Sequence, residues 1–195
     1  MLRIVLYPHP TLSFEAQPIV RVDVKLKKLI DEMFELMYEF RGVGLAATQV
    51  DLPLRMFVIN ESGQKGCGEE QVFLNPVLSQ PKGTEEAEEG CLSLPGVYAP
   101  VRRPKQVHIQ AYDLKGREIK QTVDGFLSRV IQHEHDHLNG VMFIDRIPEA
   151  NRLEIEEKIE EVEVQYEEER REGLVGDSAA IEKGRREWLK RYCGG

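Results

Sequence analysis

The positions His133 to His137 read His-Glu-His-Asp-His, three imidazoles and two carboxylates in consecutive places. On an α-helix each residue turns about 100°, so His133 and His137 lie about 40° apart in projection and one turn apart along the axis. Both rings can then reach one ion. Glu134 falls beside this pair, about 60° from His137, where a carboxylate can approach an open coordination position without being a ligand; that is the geometry of a general base. His135 points about 160–200° away from the other two histidines and is read as a spectator. Asp136 flanks the pair on the other side, either anchoring a basic neighbour or facing solvent. One and two turns earlier on the same face, Val130 and Phe126 are expected to line the approach to the ion, with Arg129 at the rim or solvated.

His-Glu-x-x-His is a pattern of zinc-type hydrolases, in which the ion takes a third protein ligand and keeps a position open. Three sources of that ligand are present. The metzincin extension fails at one place, because Phe143 stands where its last histidine belongs. A glutamate from the following segment, Glu154, Glu156 or Glu157, is within range but reads more as part of a solvated charge run. Upstream, EEGCLSLPG (88–96) offers Cys91 beside Gly90. Two imidazoles and a thiolate would leave the fourth position for water. A closed structural site would need a fourth protein ligand, for which His9 and His108 are weak candidates. A second glycine-rich segment, RGVGLAATQV (41–50), lets backbone approach a partner closely and ends near the Gln49 amide. A helix cap followed by tight packing explains that segment equally well.

The elements that must position these groups follow from periodicity. Asp23 precedes a run in which Leu26, Ile30, Met33, Phe34 and Met37 recur at helical spacing, with Gly42 as a stop, so an amphipathic helix is expected there. The segments 54–60, 71–79 and 105–113 are short, alternating or β-branched and read as strands. DLKGR (113–117) is turn chemistry that joins the third of them to EIKQTV in a hairpin, with Val107, Ile109 and Ala111 sharing one face and His108 on the other. Helical character returns from Asp124, a candidate N-cap, to Gly140, and the histidine cluster lies on its last turns. Beyond about residue 148 a highly charged stretch, with apolar residues at Leu153, Ile155, Ile159, Val162 and Tyr166, reads as an exposed terminal helix. The last segment is locally basic, through Lys183, Arg185, Arg186, Lys190 and Arg191, and carries Trp188; it is either a frayed tail or a docking element.

The whole chain, 195 residues with 41% hydrophobic and 31% charged residues, is ordinary for one soluble domain plus an appendage. Residues 1–148 are taken as a catalytic domain and 149–195 as a charged helical extension. A formal net charge of -8 argues against general affinity for nucleic acid, so DNA is not expected as a partner. No apolar run is long enough for a membrane span, and MLRIVLYPHP lacks the pattern of a signal peptide, so neither membrane association nor export is expected. The three cysteines, Cys67, Cys91 and Cys193, are odd in number and widely spaced, which fits reduced thiols and a cytoplasmic location.

Taken together, GVGLAATQ (42–49), EGCLS (89–93) and QHEHDH (132–137), in this order and spacing, resemble the three signature segments of the peptide deformylases. The resemblance covers roughly residues 1–150. It implies an α+β fold, with short antiparallel β-sheets around a central metal-bearing helix and a long charged C-terminal helix outside the motifs. It also implies hydrolytic removal of the formyl group from the formylmethionine of newly made proteins, releasing formate, so formylmethionyl nascent peptides are the expected partners. By the same motifs, Cys91, His133 and His137 would hold the metal. Glu134 would be the acid/base, and Gln49 and the Leu92 backbone N–H would donate to the oxyanion. Gly44 would contact the substrate backbone, with Val43 and Gly90 beside it in the motifs, and Phe126 and Val130, placed near the opening by helical projection, are the further expected substrate-binding residues. Fe²⁺ is the ion implied, with Zn²⁺, Ni²⁺ or Co²⁺ as substitutes. For the basic tail, contact with ribosomal RNA is one reading, and a solvated terminus is the favoured one.

Overall fold

A computed structural model describes residues 2–194. Helix α1 (Val24–Glu39) opens on Asp23, whose carboxylate accepts from the Leu26 N–H, and buries Leu26, Ile30, Met33, Phe34 and Met37 as their spacing predicts. Strands β1 (Gly44–Ala46), β2 (Met56–Ile59), β3 (Gln71–Lys82), β6 (Gln106–Tyr112) and β7 (Glu118–Asp124) form one antiparallel sheet in the order β1-β2-β3-β6-β7. Strands β4 (Glu85–Cys91) and β5 (Leu94–Arg103) form a separate two-stranded sheet. Helix α2 (Gly125–Leu138) carries the histidines, and α3 (Glu149–Arg171) and α4 (Ser178–Tyr192) complete the chain.

The period-2 alternation of β2 explains the layering. Met56 and Val58 face the core under α1, while Phe57 and Ile59 face the core shared with Val130, Ile131 and Leu138 of α2. The large sheet therefore lies between the two helices. Val107, Ile109 and Ala111 of β6 join the α2 side, and His108 points outward to Thr122, as expected. The predicted turn is also present: the Asp113 carboxylate accepts from the N–H groups of Lys115 and Arg117.

Several expectations need correction. Asp124 precedes α2 but its side chain makes no cap hydrogen bond. Strand β3 runs on to Lys82, past the predicted end at 79, and the segment around Cys91, for which no element was predicted, is a hairpin. The C-terminal region is neither an exposed helix nor a frayed tail. Ile155, Ile159, Val162 and Tyr166 of α3 bury in one core with Leu94, Val97, Ala99 and Val101 of β5, whereas Leu153 is 71% exposed. Burying four apolar side chains on one stripe outweighs the cost of docking an otherwise charged helix. At the end of α4 Tyr192 is fully buried in the α1 core, its hydroxyl donates to Asp23, and Arg191 pairs with the same carboxylate.

Candidate active site

Helix α2 and the end of β4 bring together three atoms of the kind that ligate metals. His133 Nε2 and His137 Nε2 are 3.2 Å apart, Cys91 Sγ is 3.3 Å from His137 Nε2, and the three atoms lie within 4.8 Å of one another. In a tetrahedral site with ordinary metal–nitrogen and metal–sulfur lengths these separations would be about 3.3–3.6 Å, so the donor set fits a single divalent ion. This group contains no glutamate of α3 and neither His9 nor His108. His9 instead accepts the Thr11 N–H. His135 points away, to Arg55 and Asn139.

These candidate ligands are held from behind by a buried web of charges. His133 Nδ1 lies 3.0 Å from Glu89 Oε2, which leaves Nε2 as the ligand atom. Glu89 also takes a fork from Arg103 at 2.6 and 2.8 Å and a bond from Arg129 at 2.7 Å. Burial alone would raise the Glu89 carboxyl, but the bonds from Arg103 and His133 hold it well below the usual carboxylate range. Arg103 reaches on to Asp136 at 2.7 Å, and Arg146 pairs with Asp136 as well. Asp136 is thus a buried anchor rather than a solvent-facing acid. Arg129 is 8% exposed, locked to β4 and part of the cavity lining, so of the two readings it is a pocket residue rather than a solvated one. His137 is 1% exposed, and burial pushes it well below the ordinary imidazole value, which favours the neutral ring that ligation would need.

Glu134 is 4% exposed, and its Oε2 is buried without a hydrogen-bond partner. An orphaned carboxylate oxygen in such a place is expensive unless something else meets it. Burial pushes this carboxyl up to about 7 against the pull of His133 and Arg103. Gly44 of β1 lies against it, and a Cβ at Gly44 would run into that carboxylate. Immediately after β1 the chain turns through Ala47–Val50, and Gln49 Oε1 accepts the Ala46 N–H at 2.9 Å. That bond fixes the amide orientation and aims Nε2 at Cys91 Sγ and Ser93 Oγ, both at 3.4 Å.

In front of the cluster is a cavity of about 510 Å³ whose lining includes Val43, Gly44, Gly90, Leu92, Phe126 and Val130. Every predicted site residue therefore lies at this one place, either in the ligand group or on the cavity wall. Phe126, 54% exposed, stands at its mouth, while Val130 is buried in its wall. Sequence reasoning assigned no role to Glu89 or Arg103. The signal for Glu89 was an acid beside the ligand-bearing Gly-Cys pair.

A Cys-His-His cluster with a buried, unpartnered carboxylate beside it and an apolar cavity in front defines the class, a metal-dependent hydrolase. The polypeptide deformylase profile matches residues 1–153. A peptide deformylase of Rhodopirellula baltica is 53% identical over 194 residues, spanning 100% of this chain and 96% of its own length. A shorter relative, from Neisseria meningitidis, is 42% identical over 159 residues, 82% of this chain and 94% of its own. Among solved structures, peptide deformylase 1B of Arabidopsis thaliana superposes with a TM-score of 0.82 at 40% identity, covering 86% of this chain and 93% of that one. The Thermotoga maritima peptide deformylase gives 0.70 at 40%, covering 76% and 98%. The chain belongs to the polypeptide deformylase family. Its activity is the hydrolytic removal of N-formyl groups from nascent peptides. No described helix is long and apolar enough to cross a membrane.

Proposed function

We propose that Cys91, His133 and His137 hold one divalent metal ion and that Glu134 moves the protons of deformylation. The observation that carries this reading is the convergence of Cys91 Sγ and the two Nε2 atoms beside the unpartnered Glu134 oxygen. When bound, the ion would supply Lewis acidity for activating water and the formyl carbonyl. Glu134 Oε2 takes a proton from the attacking water and returns it to the departing amine. Gln49 Nε2 and the Leu92 N–H donate to the oxygen that becomes negative as the formyl carbon turns tetrahedral. Fe²⁺ is the proposed ion, with Zn²⁺, Ni²⁺ or Co²⁺ as replacements; a thiolate ligand leaves an Fe²⁺ site open to oxidation.

The substrate path follows from topology. Strand β1 is an edge of the large sheet and β4 has a free edge of its own. An extended peptide entering between them can hydrogen-bond to the backbone at Val43 and Gly44 on one side and Gly90 on the other. The methionine side chain then fills the cavity walled by Phe126 and Val130. We place the reaction in the cytoplasm, where formylated chains are made. Residues 1–148 serve as the catalytic domain, and 149–195 as an extension that braces it. In that extension Arg191 pairs with Asp23 and Arg185 lies over Phe14. Ribosomal contact would thus rest on Lys183, Arg186 and Lys190, and a bracing role is favoured. Anaerobic purification, metal analysis and a formate-release assay on formylmethionyl peptides test the reading; a metal-free enzyme with full turnover would overturn it.

A further inference from the structure

We infer that Arg41 and Glu88, on opposite lips of the cavity, sort substrates by the charge of the residues that follow the formylated one. Arg41 favours an acidic side chain and Glu88 a basic one. The inference rests on the reading of the site given above.

Both lips lead away from the ligand cluster in step. On one, Gly44 touches Glu134, and the chain retreats through Val43 and Gly42 to Arg41. On the other, Cys91 is in the cluster, and β4 retreats through Gly90 and Glu89 to Glu88. All of these residues line the same cavity. Strand β4 advances about 3.3 Å per residue, so Glu88, three residues from Cys91, stands up to roughly 10 Å out; Arg41, three residues from Gly44 through a bend and a left-handed turn, stands no farther out than that on the same cavity wall. That is level with the second or third residue of an extended peptide whose formyl end is at the cluster. Successive side chains of such a peptide point to opposite sides, so the two lips meet different residues.

The two charges are free and their backbones are fixed. Among the described residues, neither Arg41 nor Glu88 makes an ion pair, whereas the neighbouring Glu86 and Glu89 pair with Arg102 and Arg103. Both side chains belong to exposed residues. Arg41 sits at the end of α1 with φ 58°, its N–H donating to Tyr38 O at 3.0 Å and that of Gly42 to Met37 O at 2.8 Å. Glu88 is held in register opposite Pro100. An anchored, unpaired charge at a cleft mouth acts on charged partners chiefly by electrostatic complementarity.

The test is a panel of formylmethionyl tripeptide amides carrying Asp, Ala or Lys at the second or the third position. Formate release would be followed at low and high salt for the wild type, Arg41→Glu and Glu88→Lys. In the wild type, kcat/KM for Asp should exceed that for Lys by about two- to fivefold at one position, and Lys should exceed Asp at the other, with both preferences shrinking in salt. The first preference should invert in Arg41→Glu and the second in Glu88→Lys. Ratios are taken within each variant, so a general loss of turnover cancels. Equal rates across the panel, or preferences that survive the substitutions, overturn the inference alone. Absence of formate from every peptide overturns the site reading and this inference with it.

Discussion

His133 Nδ1 and Glu89 Oε2 are 3.0 Å apart, and this bond ties helix α2 to the strand that delivers Cys91. One carboxylate thus sets the ring orientation of His133 on α2 while sitting two residues from Cys91 on β4. Replacing Glu89 with Ala should weaken metal binding by about 10–100-fold, the usual effect of losing a group that orients a ligand histidine. It should also leave the buried Arg129 without its carboxylate partner and Arg103 with Asp136 alone, at a cost of about 3–5 kcal/mol. Metal competition titration and thermal melts check the two effects separately.

Gly44 is required by its contact with Glu134 rather than by backbone conformation. Gly44→Ala should displace that carboxylate and reduce turnover by on the order of 100-fold while leaving far-UV circular dichroism unchanged. Wild-type rates in that variant would mean that the carboxylate can move without penalty.

Helix α3 braces the ligand hairpin, because its apolar stripe packs on β5 and β5 pairs with β4. Ile159→Ala, at a position 1% exposed, should cost about 2–5 kcal/mol and lower Tm by roughly 4–20 °C. Differential scanning calorimetry reads this directly.

The docking of α4 should be acid-sensitive. The Leu26 N–H, opposed by burial and reinforced by hydrogen bonds from Arg191 and Tyr192, lowers the Asp23 pKa from 3.8 to about 2. A depressed carboxyl stabilises the fold when ionised, so its contribution is complete above 3.8 and is lost as pH falls to about 2. Trp188, the single tryptophan, stacks on Tyr192 and reports this contact by fluorescence. The wild type should hold α4 more firmly than Asp23→Asn at neutral pH, and the difference should vanish near pH 2.

The helix elements of the site were legible because their spacing carries the geometry: His133, Glu134 and His137 are placed by one helical repeat, and Gln49 by an amide in a glycine-rich run. The hairpin was not. Strand β4 is mostly Glu and Gly, and β5 contains Pro95 and Pro100, which argue against a strand. Proline is tolerated in β5 because a strand of a two-stranded sheet keeps a free edge. Arg129 and Asp136 were placed on the correct sides of α2, but their burial depends on Glu89 and Arg103, which arrive from distant segments. Helix α3 was misread because its apolar stripe is narrow and its charges dominate the composition.

The most direct test of the central claim is the paired measurement of bound metal and formate release in Glu134→Ala. Near-stoichiometric metal should remain, because the proposed ligands are Cys91, His133 and His137 and do not include Glu134, while kcat on a formylmethionyl peptide should fall by about 100-fold or more. Retained metal with near-normal turnover would contradict the role given to Glu134.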